Sequence, residues 1–216
     1  MGSIKIKKDT LAVVVPLVLI VVLAIAIGNI NRIFPSPAAA SKLNEIRHKV
    51  NYNASSSMLG TSPNATVTLI EFSDFQCPAC QMAVPEVQKV IEYYGDEVNV
   101  VFKHFPIKSG SAKAAEAAEC ARDQGKFWEY HDILFEEYHG RESSLSSYAT
   151  DLGLNVFEFN SCLRSGEKSA KVEADFAEGY RNGIKGTPTF FVNDIMLQGV
   201  HSFEDFRQVI DMELGK

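Results

Sequence analysis

Apolar positions along the chain fall into three regimes. From Leu11 to Ile27 every residue is apolar, seventeen in a row including Pro16, and Gly28, Asn29 and Ile30 extend the run. A helix needs about 20 such residues to cross the hydrocarbon core, so residues 10–30 predict one transmembrane helix. Residues 31–63 are rich in Ser, Asn, Ala and Pro, with one modestly amphipathic stretch from Ser41 to Val50. That composition predicts a linker. From residue 64 onward the pattern is that of a folded domain, 64–216. Val67-Thr68-Leu69-Ile70-Glu71-Phe72 is β-branched and aromatic and of strand length. Between Cys77 and Tyr94, Met82, Val84, Val87, Val90 and Ile91 recur at helical spacing, with Gly95 as a stop. Val98 to Phe105 reads as a second strand, ended by Pro106. Helical patterns follow at Ser111–Arg122, Phe127–Tyr138, Ser144–Leu152, Val156–Leu163 and Glu167–Asn182, separated by glycines. Thr189–Val192 and Ile195–Gln198 read as strands around an Asn193-Asp194 turn, and a last helix starts at Ser202. The order is strand, helix, strand, helical insert over about 108–183, two strands, helix: an α/β pattern.

Composition adds a core and a location. Hydrophobic residues make up 46% of the chain, with 14 Phe and 7 Tyr, which excludes global disorder. The net charge is −6, and Lys5, Lys7 and Lys8 against Asp9 give the first thirty residues +2, leaving −8 for the rest. An acidic body argues against nucleic acid. It also lacks a basic stripe for lying on an anionic membrane, so membrane contact is assigned to the N-terminal helix. The lysines before that helix predict a cytoplasmic N-terminus over residues 1–9 and an extracytoplasmic body. A cleaved signal peptide is the rival expectation, with Ala38-Ala39-Ala40 as a small-residue site, although the apolar run exceeds the usual h-region of about 7–15 residues. Either way the body is exported, where disulfides persist.

Cys77 and Cys80 stand three positions apart at the start of a helix, facing one another across one turn. Unpaired amides and the helix dipole concentrate positive potential there and stabilise a thiolate. Half of a zinc site is the other use of Cys-x-x-Cys, and zinc needs further ligands. Cys120 and Cys162 are singles 42 positions apart with no histidine within four residues, and histidines 48, 104, 131, 139 and 201 lack ligand spacing. No metal is expected. Pro188 precedes a strand and offers no amide hydrogen toward a thiolate, while the Thr187 backbone can pair with an extended segment.

Phe72-Ser73-Asp74-Phe75-Gln76-Cys77-Pro78-Ala79-Cys80 resembles the active-site segment of DsbA-like thioredoxin-fold proteins, which donate disulfides to exported proteins. Gly186-Thr187-Pro188-Thr189 is similar to the second signature of that family, a loop whose proline is cis and faces the cysteine pair. Pro85 matches the helix-kinking proline of the superfamily, and the resemblance spans about 63–216. It implies a thioredoxin fold with a helical insertion between its βαβ and ββα halves, preceded by the transmembrane helix. It implies thiol-disulfide exchange in which Cys77 attacks and Cys80 resolves, with Thr187 and Pro188 alongside and no cofactor. Glu71 falls where the family has a buried acid that moves protons, and Lys103 is a candidate charge partner; an outward-facing position on a half-exposed strand is the other account of each. The implied partners are reduced or unfolded exported proteins and a membrane oxidase of the DsbB or vitamin K epoxide reductase type. Cys120 and Cys162 resemble an insert disulfide of some members; a second redox pair and free thiols are the other readings. Ala79 stands where the best-known member has a histidine, which implies a milder oxidant. A reductase or isomerase of the same fold and a non-catalytic client-binding module are the alternative functions. Phe75, Gln76 and Met82 either rim the site or pack beneath it, Phe127, Trp128, Tyr130 and Tyr138 are expected in the insert core, and Arg141 and Glu142 in a solvated loop.

Overall fold

A computed structural model of the chain describes residues 57–59, 62 and 65–216; the expectations for residues 1–56 lie outside the described residues. The run Val67–Ser73 forms the central strand, β2, because it has partners on both sides. Strand β3 (Val98–His104) lies parallel to it and β4 (Thr189–Val192) antiparallel, while β5 (Ile195–Gln198) continues beyond β4. A short strand β1 (Ser57–Leu59) pairs antiparallel with the outer edge of β3, giving the order β1-β3-β2-β4-β5.

Every residue of β2 and β3 is buried, since both sheet faces are covered. Side chains alternate between the faces. Val67, Leu69, Val98, Val100, Phe190 and Val192 meet Ala83, Val87 and Val90 of α1 (Pro78–Tyr94) and Phe206 and Ile210 of α7 (Phe203–Leu214). Ile70, Phe72, Val101 and Phe191 point the other way, with Phe105 and with Phe176 of α6 (Ser169–Arg181). Gly179 lets α6 come this close, because a Cβ there would stand 2.7 Å from the Phe105 ring.

The insert comprises α2 (Ser111–Arg122), α3 (Phe127–Glu137), α4 (Leu145–Asp151), α5 (Val156–Ser165) and α6. Small alanines on α2 pack with Tyr130, Leu134, Leu145 and Phe159, and Phe102 of β3 joins the same cluster, so the insert shares its core with the sheet. A disulfide, Cys120–Cys162, ties α2 to α5.

Two features depart from the sequence pattern. Strand β1 falls inside the stretch that composition marks as linker; three residues on a sheet edge carry too short an alternation to be legible. Lys103 is not the partner of Glu71. The register pairs Glu71 with Phe102 and Phe72 with Lys103, so the two charges leave opposite faces of the sheet. Lys103 is instead buried under α6, its Nζ 2.6 Å from Glu178 and 3.7 Å from Asp175. Helix α7 starts one residue after Ser202, which caps it in a reciprocal box with Asp205.

Candidate active site

Between β2 and α1 the chain turns through Asp74, Phe75 and Gln76, and Asp74 organises the turn. Its carbonyl accepts the Cys77 N–H at 3.0 Å. Its carboxylate accepts the backbone N–H groups of Gln76 at 2.7 Å, Ile107 at 2.7 Å and Lys108 at 2.9 Å, and also the Ser111 hydroxyl. The Gln76 amide donates to the Ser109 carbonyl at 2.5 Å and to the Ser111 hydroxyl at 3.0 Å. The turn is thereby clamped to the entrance of α2. Sequence reasoning assigned Asp74 no role; an acid three residues before a helix cap was its only local signal.

Cys77 is the cap residue of α1 and Pro78 follows it as the first helical residue, where a missing N–H is tolerated. Thr187-Pro188 is a cis peptide, and the Cys77 thiol donates to the Thr187 carbonyl at 3.4 Å. Both cysteines are free thiols, Cys77 8% and Cys80 0% exposed. Burial pushes the Cys77 pKa up, but Thr187, the amides of Cys80 and Ala79 and the Cys80 thiol together outweigh it and hold it below the ordinary thiol value. The Thr187 hydroxyl oxygen is buried without a partner, a donor available to a thiolate. Cys80 behaves oppositely. Burial raises its pKa strongly, the nearby Ser73 and Thr187 hydroxyls and the Asp74 amide only partly oppose this, and the charge of Glu71 adds to it. One sulfur is prepared for ionisation and the other for holding a proton.

Glu71 shares the α1 face of β2 with Val67 and Leu69 and is 4% exposed, which removes the outward-facing account. Burial lifts its carboxyl to about 7, opposed only in part by the neighbouring Ser73 hydroxyl, and Oε1 has no partner. Phe75 is packing, stacked on Phe102 at 5.3 Å and tilted against Phe135 at 5.0 Å, whereas Met82 is 64% exposed. Phe127, Tyr130 and Tyr138 are buried in the insert, Trp128 is half-buried, and Arg141 and Glu142 are exposed. Asp123, Cys162 and Glu167 bring potential ligand atoms within 4.8 Å of one another, but the Cys162 sulfur is bonded to Cys120 and is no thiolate ligand. Among the described residues no helix is long and apolar enough to cross a membrane.

Residues 53–212 match the family described as Thioredoxin. A thioredoxin-like oxidoreductase from Silicibacter pomeroyi is 28% identical with a TM-score of 0.69, over 76% of this chain and 95% of that one. BdbD from Bacillus subtilis is 25% identical with a TM-score of 0.67, over 75% and 94%. Alpha-DsbA1 of Wolbachia pipientis shares the fold at 23% identity, with a TM-score of 0.69 over 77% and 94%. The sodium/proton antiporter NhaA of Herminiimonas arsenicoxydans is 34% identical over 149 residues, which are 68% of this chain and 24% of the antiporter. The chain spans about a quarter of the length of the curated relatives it matches.

Proposed function

We propose, since this chain belongs to the thioredoxin family and within it to the DsbA-like thiol-disulfide oxidoreductases, that Cys77 and Cys80 form a redox pair donating disulfides to exported proteins. The observation that carries this is the asymmetry of the two sulfurs, one lowered in pKa beside the cis Thr187-Pro188 bond and the other sealed and raised. A client thiolate attacks the Cys77 sulfur of the oxidised pair, the Cys77–Cys80 bond breaks, and its electron pair leaves on Cys80, which takes a proton. The client's second thiolate then attacks its own sulfur in the mixed disulfide. Cys77 departs as the stabilised thiolate, and the client carries the new disulfide. Glu71, protonated in part near neutrality, supplies the Cys80 proton.

Stabilising the Cys77 thiolate stabilises the reduced protein and makes the pair more oxidising. Ala79 adds no charge beside the sulfurs, so the pair is a milder donor than one carrying a histidine there. The protein is tethered by the helix at 10–30 with its N-terminus cytoplasmic, and a membrane oxidase of the DsbB or vitamin K epoxide reductase type re-oxidises it. The decisive experiment incubates the oxidised protein with a reduced, unfolded two-cysteine client and counts client disulfides. Stoichiometric transfer that disappears in Cys77→Ala is expected; transfer or client protection surviving in Cys77→Ala sinks the proposal in favour of a client-binding module.

A further inference from the structure

A cleft of about 230 Å3 opens between α1 and α3, with Glu71 on its sheet side. Val84, Val87 and Ile91 form the α1 wall, and because they stand three and four residues apart they make one apolar stripe. Trp128 stands on the α3 side. Its ring packs edge-on against Phe127 at 5.2 Å and Phe102 at 6.4 Å and stays half-buried, so part of its surface faces the cleft. The remaining charged lining groups are acids, Glu92 on α1 and Asp132 on α3. None of Cys77, Thr187 and Pro188 borders the cleft, which therefore lies apart from the surface where thiols exchange.

We propose that this cleft is a binding site for a small organic cation, an alkyl- or arylammonium whose hydrocarbon part lies along Val84, Ile91 and Trp128 and whose ammonium meets Glu71. The site is independent of the redox reading above. Each part of such a ligand answers a feature of the cleft. Glu71 Oε1 is buried without a partner, and a buried acceptor left unpaired is costly, so an N–H donor brought to it is rewarded. The apolar stripe removes hydrocarbon from water, and the Trp128 face attracts a cation within about 6 Å of the ring. Glu92 and Asp132 at the cleft add negative potential that draws cations in and turns anions away. No positive group competes for Glu71 there: among the described lining residues none is Lys or Arg, and Lys103 on the neighbouring strand leaves the opposite face of the sheet. His131, which also lines the cleft, has Nδ1 2.9 Å from Asp132 and is held toward its neutral form by burial. Size limits the occupant. Pockets for drug-sized ligands run to roughly 300–1,000 Å3, so about 230 Å3 suits a single ring or a short chain.

The test titrates benzylamine into the reduced full-length protein at pH 8, above the value of about 7 at which Glu71 ionises. Neutral benzyl alcohol and anionic benzoate, which keep the ring and change the charge, are titrated beside it. Binding is read by calorimetry and by the fluorescence of Trp128, the one tryptophan in the chain. Benzylamine should saturate one site per chain and bind at least about tenfold more tightly than benzyl alcohol, a preference of the size that one charge-assisted hydrogen bond supplies; benzoate should not bind. Glu71→Gln keeps the shape and removes the charge, so it should erase the preference for the amine over the alcohol. Val84→Phe fills the cleft from its α1 wall and should remove the binding of both. The proposal is overturned if benzylamine does not saturate a site, if the alcohol binds as tightly, or if the preference for the amine survives in Glu71→Gln. Wild-type binding in a folded Val84→Phe protein also overturns it, because the ligand would then sit elsewhere.

Discussion

At the scale of single residues, Cys77 and Cys80 differ by three positions and by opposite responses to one environment. Cys77 reaches the helix amides and Thr187, while Cys80 is sealed against the sheet. Cys80→Ser therefore leaves Cys77 able to form a mixed disulfide that nothing resolves, and clients should accumulate on it as bands that collapse on reduction. Thr187→Val removes the hydroxyl donor beside Cys77; its pKa should rise by about half to one unit, read by alkylation rate against pH. Glu71 makes a prediction about stability. Its carboxyl titrates near 4.5 when unfolded and near 7 when folded, so the folded chain keeps a proton that the unfolded chain releases. Stability is full below about pH 4.5 and declines as pH rises to about 7, by about 3 kcal/mol. Glu71→Gln should match the wild type in denaturant unfolding at pH 4 and exceed it by that amount at pH 8.

At the scale of elements, three ties hold the insert. Lys103 of β3 is buried against Asp175 and Glu178 of α6, so Lys103→Met removes the cation from between them, although Asp175 keeps Lys171 and the His104 amide. With those partners kept, the loss costs about 1–3 kcal/mol. Because Lys103 leaves the face opposite Glu71, the variant should unfold at lower denaturant while its cysteine pair keeps the wild-type potential. The Cys120–Cys162 disulfide closes 42 residues of sequence separation between α2 and α5. In the chain-entropy account its loss costs about 4 kcal/mol, and a Cys120→Ser/Cys162→Ser protein should show that loss in equilibrium unfolding. Asp74 is the third tie, a single carboxylate collecting amides from the active-site turn and from the approach to α2.

For the whole molecule, the observable is one number, the potential of the Cys77–Cys80 couple in a glutathione titration. A thiolate stabilised by amides and Thr187, without a charged residue at Ala79, places it between about −270 mV for thioredoxin and about −120 mV for DsbA. A value at or below that of thioredoxin turns the proposed donor into a reductase.

What the chain determines by itself is whatever short-range pattern can carry. The helices and strands of the folded body follow from periodicity and from glycine and proline punctuation, and α2, β4 and β5 run over the very residues that the pattern marks. The cysteine pair at a helix cap and the Thr187-Pro188 step are equally local. Pairing register lies beyond such signals: a residue's face in a strand depends on its neighbour strand, and so only the tertiary structure could separate Lys103 from Glu71. The same holds for β1, whose three residues acquire meaning from β3, for Asp74, whose partners at Ile107 and Lys108 lie more than thirty residues away, and for the cleft that Glu71 lines, which exists only where α3 packs beside α1. The sequence names the two sulfurs; the fold makes them unequal, because burial and aligned amides act through space.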